Sequence, residues 1–478
     1  MTGSEFDNYK SPFSWRYGSD EMRSIFSEKT RRTKWRKIWY EIASSQYKHG
    51  LITKAELNDI KKYSSEKHVD IKRSLETEKK IRHDLMSEIK TFADQAKVGG
   101  GKIHLGATSM DIVDNADILV IREALIIILE KIVACLDSLS KKIKTHNKTV
   151  CMGWTHIQAA EPTTLGYRFS LYAQDLLLDI KNIEFILDNV VLGKGIKGAV
   201  GTSASYKRLL GKNTRNFEND VMKNLDVKAF VVSSQTYPRK VDFLILSALS
   251  SLAQSMHKFS LDFRILQSPP FGEFKEPRKK LQVGSSAMPF KRNPIMTERI
   301  SSLTRYVSSF LNVASSNASN SILERTLDDS ANRRLFLPES FLALDECLMI
   351  YSEILSGMEI SDINIKKNLD IYGPFALLEP IMMDLSKKGK NRQTLHEEFR
   401  KISLEAWDDI ELGKPNPLFT LISKNKYLSE LDLDLKNLFN YSKYVGTAPE
   451  RSMILQKNIN SVMKKYKNKP KSFSKSTY

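Results

Sequence analysis

Ile118-Leu119-Val120-Ile121-Arg122-Glu123-Ala124-Leu125-Ile126-Ile127-Ile128-Leu129-Glu130-Lys131-Ile132-Val133-Ala134-Cys135-Leu136 is the most apolar run of this 478-residue chain, and its spacing decides the fold. Ile121, Leu125, Ile128, Ile132, Leu136, Leu139 and Ile143 recur at intervals of three and four, the repeat of one face of an α-helix. Phe169, Tyr172, Leu176, Ile180, Ile183, Leu187 and Val190 make a second such stripe, and Ile245, Leu249, Leu252, Met256 and Phe259 a third. Stripes sustained over several turns predict long, near-parallel helices packed on one another. The expected fold class is all-α.

The first stripe also has apolar neighbours: Ile126, Ile127 and Leu129 flank Ile128, so this helix is hydrophobic round much of its circumference. Such a helix needs cover on several sides, from a subunit interface or from the centre of a large bundle. Lipid is not that cover. Arg122, Glu123, Glu130 and Lys131 interrupt the run, so neither a membrane span nor a membrane partner is predicted. Hydrophobic residues at 41% and charged residues at 27% fit ordinary globular usage, and the length suggests two to four domains. Glu5 and Asp7 stand where a secretory signal would be apolar, and a cytoplasmic location is expected.

Cys135, Cys151 and Cys347 are an odd, widely spaced set that reads as inert core thiols. The eight histidines are scattered without metal-ligand spacing, so no metal or other cofactor is expected. A net charge of +18 raises the prior for nucleic acid. The lysines are spread along the chain, however, with one local run at Lys464, Lys465, Lys467, Lys469, Lys471 and Lys475 that reads as a solvated tail. No specific nucleic-acid partner is expected.

Chemistry is expected in the connections between helices. Gly99-Gly100-Gly101 precedes Ile103-His104-Leu105-Gly106-Ala107-Thr108-Ser109, Trp154-Thr155-His156-Ile157-Gln158 precedes Pro162, and Gly193, Gly195, Gly198 and Gly201 punctuate a third connection. None is a phosphate-binding P-loop, and strand-like alternation is scarce. The most telling stretch is Gly284-Ser285-Ser286-Ala287-Met288-Pro289-Phe290-Lys291-Arg292-Asn293-Pro294. Its prolines deny helix, its serines offer hydroxyl and backbone donors, and Lys291 and Asn293 suit carboxylates. Composition alone leaves a basic surface turn equally open.

These stretches stand in an order that resembles the adenylosuccinate lyase family of the fumarase/aspartase superfamily, whose members eliminate fumarate from a substituted succinate. Arg16-Tyr17 is followed by Arg82-His83-Asp84, Gly106-Ala107-Thr108-Ser109 with Asp114-Asn115, Thr155-His156 with Gln158, Gln235-Thr236-Tyr237, and the loop just quoted. Glu324-Arg325-Thr326-Leu327-Asp328-Asp329-Ser330-Ala331-Asn332-Arg333-Arg334 and Arg392-Gln393 with His396-Glu397 complete the likeness, which spans nearly the whole chain. Fumarases and argininosuccinate lyases share the loop in outline and lack the run that ends at Arg334.

The resemblance implies three helical domains, here 1–111, 112–364 with the signature loop near 282–296, and 365–478. It also implies a homotetramer with a twenty-helix core and active sites each shared by three subunits. The implied reaction is β-elimination of fumarate from adenylosuccinate to give AMP, and from the succinylated ribotide SAICAR to give AICAR, without a cofactor. By that likeness Ser285 is the general base and His156 the general acid, with Lys291 and His83 also in the catalytic set. An alkoxide at Ser285 needs stabilisation, for which Lys291 and the loop's backbone N–H groups are both candidates. Arg16, Tyr17, Arg325, Ser330 and Arg334 resemble nucleotide and phosphate contacts. Thr108, Ser109, Gln235, Lys291, Asn293 and Arg299 resemble contacts to the succinyl portion and its surroundings, and Arg82, Asp84, Thr155 and Leu327 complete the substrate set. Of the adjacent pair Arg333-Arg334 only Arg334 is assigned, a solvated basic helix face being the plain reading of the two.

Two other readings compete. One is another superfamily lyase such as argininosuccinate lyase; the other is a non-catalytic structural protein on the same fold.

Overall fold

A computed structural model describes residues 7–429 and 440–466; of the lysine run, Lys464 and Lys465 end the Ala448–Lys465 helix, and Lys467, Lys469, Lys471 and Lys475 lie outside the described residues. Five helices of 25 to 38 residues dominate: Ser109–His146, Leu165–Asn189, Lys240–Gln267, Ile295–Ser319 and Asp329–Gly357. The longest spans about 57 Å at 1.5 Å per residue. They pack along one another as an all-α bundle, joined by the Ala448–Lys465 helix, which returns from the far end of the chain to lie on the first two.

The three stripes read from the sequence face one continuous core. Ile121, Leu125, Ile128, Ile132, Leu136, Phe169, Leu176, Ile180, Ile245, Leu249 and Met256 are all buried in it. Ile127 and Leu129 are buried as well, so the chain itself covers the Ser109–His146 helix. Within the chain the centre of a large bundle supplies this cover, and Ile126 stays half-buried. Exposed apolar side chains of the bundle include Leu261, Leu335 and, repeating every seven residues on the Leu165–Asn189 helix, Leu171, Leu178 and Phe185.

A second core gathers Trp35, Trp39, Leu85 and Phe92 from the N-terminal helices with Ile112, Leu119, Phe217 and Val221. A third joins Leu377, Leu385, Leu395, Phe399 and Leu418 near the C-terminal end. All three cysteines are buried and free; burial pushes the Cys135 thiol up to about 12 and that of Cys151 to about 11, so they are inert at neutral pH.

The expectation of a plain loop around His156 is corrected. Val150–Thr155 and Gln158–Thr164 pair as an antiparallel hairpin, with a second two-stranded pair at Phe274–Lys275 and Glu359–Ile360. Among the described residues no helix is long and apolar enough to cross a membrane.

Candidate active site

The Ser109–His146 helix begins beside a cleft of about 600 Å³, and its first turn is held from several sides. Asp111 reaches back to the Thr108 N–H at 2.9 Å. The same buried carboxylate pairs with Lys194 and accepts the N–H groups of Lys197 and Gly198, so the glycine-rich connection wraps around it. Asn115 donates to the Gly195 carbonyl at 3.1 Å and to the Asp111 carbonyl at 2.8 Å. Thr108 and Ser109 are thereby fixed at the cleft wall.

Asp114 joins two motifs that are far apart in sequence. Its carboxylate accepts the Tyr237 N–H at 2.8 Å and both terminal nitrogens of Arg239 at 3.2 Å. Arg239 also donates to Asp329, and Arg325 stands 3.6 Å from the other oxygen of Asp329. This chain of charges sets Gln235 and the Arg325 to Arg334 run against the helix, and Gln235, Arg325, Leu327, Ser330 and Arg334 line the cleft.

Arg82-His83-Asp84 also lines the cleft, at the junction of two helices. Arg82 takes a left-handed φ of 55°, which ends the Ile71–Ile81 helix. His83 caps the next one: its Nδ1 accepts the Met86 N–H at 3.3 Å, which leaves the proton of a neutral ring on Nε2. Burial raises the Asp84 carboxyl, but the Leu85 N–H, Arg334 and Arg31 outweigh it and hold the group below the ordinary carboxylate range. Guanidinium groups of Arg82, Arg325 and Arg334 with hydroxyls at Thr108, Ser109 and Ser330 in one cleft suit a phosphate or a dicarboxylate.

The remaining sequence-predicted residues lie outside this cleft in the single chain. Arg16, Tyr17 and Arg299 form a second group: the Arg16 guanidinium sits 5.8 Å and that of Arg299 6.0 Å from the Tyr17 ring. Arg299 also stands 3.6 Å from buried Glu346.

Thr155 and His156 are at the exposed tip of the hairpin. His156 and Ile157 form its two-residue turn with φ of 55° and 62°, a conformation that costs an L-residue about 1–2 kcal/mol. For β-branched Ile157 this is a real outlier, of the kind that gathers at functional sites.

Ser285, Lys291 and Asn293 lie on the signature loop, and Lys291 and Asn293 line a separate cleft of about 540 Å³. Asn293 donates to the Gly284 carbonyl at 3.2 Å and closes the loop on itself. A Cβ at Gly284 would come within 2.3 Å of the Lys291 carbonyl, so only glycine fits there. Beyond the loop, Glu276 accepts the N–H groups of Met296 and Thr297 and pins the start of the Ile295–Ser319 helix. The Ser285 Oγ accepts the N–H of Met288 at 3.1 Å and that of Ala287 at 3.4 Å. Two amide dipoles thus point at the Ser285 hydroxyl oxygen.

Residues 15–308 match the protein family described as Lyase, and residues 374–452 the one described as Adenylosuccinate lyase C-terminus. The curated adenylosuccinate lyase of Schistosoma mansoni is 38% identical over 97% of each chain, and that of Saccharomyces cerevisiae 36% over 97% of each. The chain belongs to the adenylosuccinate lyase family. An archaeal member, from Pyrococcus abyssi, is 36% identical over 92% of this chain and 95% of its own. Among solved structures, the 3-carboxy-cis,cis-muconate lactonizing enzyme of Pseudomonas putida superposes with a TM-score of 0.82, covering 94% of this chain and 99% of that one. At 21% identity it shows the shared fold alone.

In this member of the adenylosuccinate lyase family, Arg333 departs from the reading of a solvated basic face. It is buried, donates from Nε to Asp242 at 2.7 Å and from Nη2 to Asp117 at 3.3 Å, and also bonds the Tyr237 hydroxyl. Arg334, next to it, faces the cleft. Arg31 and Asp117 line the same cleft and were not foreseen; they belong to no quoted motif, and only their spatial neighbours reveal them. Burial pushes the Asp117 carboxyl up despite the pull of Arg333.

Proposed function

We propose that this chain catalyses β-elimination of fumarate from adenylosuccinate, giving AMP, and from SAICAR, giving AICAR. The observation that carries the reading is that residues from four separate sequence motifs of the adenylosuccinate lyase family converge on one cation-lined cleft. Neither argininosuccinate lyase nor a structural protein needs that nucleotide-suited wall.

In this reading Ser285 removes the proton next to a carboxylate and His156 protonates the departing nitrogen. Serine is a very weak acid, and the Ala287 and Met288 N–H groups on its Oγ supply preorganised stabilisation of the alkoxide. Of the two candidates for this task, the backbone is the one already in contact, while the exposed Lys291 is left to receive a substrate carboxylate. His156, at the exposed hairpin tip, can present an imidazole N–H to the departing nitrogen. Arg82, Arg325 and Arg334 anchor the phosphate and carboxylates, with His83 beside them.

The acid, the base and the cleft lie in three places on one chain, so the reading includes a homotetramer in which three subunits complete each site. The exposed Leu171, Leu178 and Phe185 stripe supports an intersubunit face. The reading keeps three domains, 1–111, 112–364 and 365–478, the last of which sends its Ala448–Lys465 helix onto the central bundle, and a cytoplasmic location. The test is conversion of adenylosuccinate by the purified protein, with AMP and fumarate identified by chromatography. A folded protein that leaves both adenylosuccinate and SAICAR intact sinks it.

A further inference from the structure

The hairpin that carries His156 has only two strands, and a two-stranded sheet is marginal in water by itself. What packs against it must therefore set where its tip stands. Its root is secured: Cys151, Met152 and Pro162 are buried, and the Met152 carbonyl accepts from Arg168, which in turn pairs with Glu273 at 2.7 Å. Its tip is not, since Thr155, His156, Ile157 and Gln158 are all exposed. Strand pairing does not carry the root's order straight through either. The register slips between Met152 and Trp154, at Gly153, where a Cβ would lie 2.7 Å from the Glu161 carbonyl.

Trp154 stands between the slip and the tip. Its ring meets that of Phe271 at 4.8 Å and that of Tyr372 at 5.5 Å, both edge-on at 78°. Tyr372 continues to Trp407 at 6.0 Å, and Phe375 meets the same indole at 5.3 Å. An aromatic chain thus ties the strand that leads to His156 to the C-terminal helices. The Trp154 Nε1–H is buried and has no acceptor among the described residues, so the ring contributes shape and area rather than a hydrogen bond.

We propose that Trp154 is the positioning residue for His156: its indole, wedged between Phe271 and Tyr372, sets the angle at which the hairpin tip presents the imidazole to the departing amine. The inference rests on the proposed role of His156 as acid. A tip displaced by about 1 Å costs roughly 10²-fold in rate while leaving substrate binding to the cleft residues intact.

The experiment compares wild type, W154A, W154F, Y372A, the W154A/Y372A pair and H156A as full-length proteins, by steady-state kinetics on adenylosuccinate and by ¹³C NMR of the histidine rings. The expected result for W154A is a kcat roughly 10²-fold lower with KM little changed. W154F, which keeps a ring and needs no acceptor, retains close to wild-type kcat, and Y372A adds little to W154A because both act through one contact. The His156 ring signals, identified by their loss in H156A, shift in W154A and stay in place in W154F. Should W154A fail to fold, W154L takes its place with the same expected kcat loss. Wild-type kcat in the folded Ala or Leu variant, or equal impairment in W154F, overturns the inference. Absence of activity in wild type would instead count against the proposed function, and the ring shifts would still decide the role of Trp154.

Discussion

Arg334 and Asp84, 250 residues apart in sequence, meet across the cleft with Nη2 2.7 Å from Oδ2. The pair is partly exposed, so it contributes only about 0–1 kcal/mol to stability. Its consequence is directional: Asp84 holds a guanidinium over the cleft. Asp84→Asn is expected to leave the thermal midpoint nearly unchanged and to raise KM for adenylosuccinate more than it lowers kcat. Arg334→Ala raises KM further. Steady-state kinetics beside thermal melts check both.

The neighbouring arginine behaves differently. Removing Arg333 strands buried Asp242 without its charge partner, and uncompensated buried charges of this kind typically cost about 3–5 kcal/mol. Denaturant unfolding of Arg333→Leu should therefore show a large loss of stability, while Arg334→Ala shows little. Equal midpoints for the two variants would contradict the buried network.

This contrast marks where the sequence was legible and where it was not. The Ile121 to Ile143 stripe announces a helix because its spacing alone specifies a face. Arg333 and Arg334 carry no such signal; one is buried and one exposed because Asp242 and Asp117 arrive from other helices. The hairpin escaped notice because Gly153 and Pro162 interrupt any alternation, and its turn places His156 and Ile157 at positive φ without glycine. Motif order pointed to Arg82, Thr108, Gln235 and Arg325 at the cleft, and gave no sign of Arg31 or Asp117. Why Asp114 and Asn115 accompany them emerged only when their bonds to Tyr237, Arg239 and Gly195 were in view.

His104 gives the fold an acid-sensitive point. Burial lowers its pKa, and its Nδ1 accepts the Trp39 indole N–H at 3.2 Å, which protonation forbids. Because the folded value lies below the unfolded one of about 6.5, the contribution is fully present above pH 6.5 and is lost as pH falls through the folded value. Urea stability should decline on going from neutral pH towards pH 5. His104→Asn, whose side chain tolerates the left-handed φ of 69° at this position, should flatten that decline. An unchanged pH slope in the variant would assign the effect to other groups.

Separation of His156 and Ser285 on one chain leads to a complementation test. His156→Ala and Ser285→Ala are each expected to lose about 10²-fold or more in kcat. When the two inactive proteins are dissociated together and reassembled, mixed oligomers should recover part of the activity, since some sites receive an intact acid from one subunit and an intact base from another. Recovery is absent if each chain builds its own site.

The most direct measurement is the near-ultraviolet absorbance of adenylosuccinate mixed with the purified wild type, His156→Ala and Ser285→Ala proteins, with AMP and fumarate confirmed by chromatography. Conversion by the wild type, with both variants strongly impaired, is the predicted result. Failure of the folded wild type to convert the substrate would contradict the assigned reaction, and undiminished conversion by both variants would contradict the assigned acid and base.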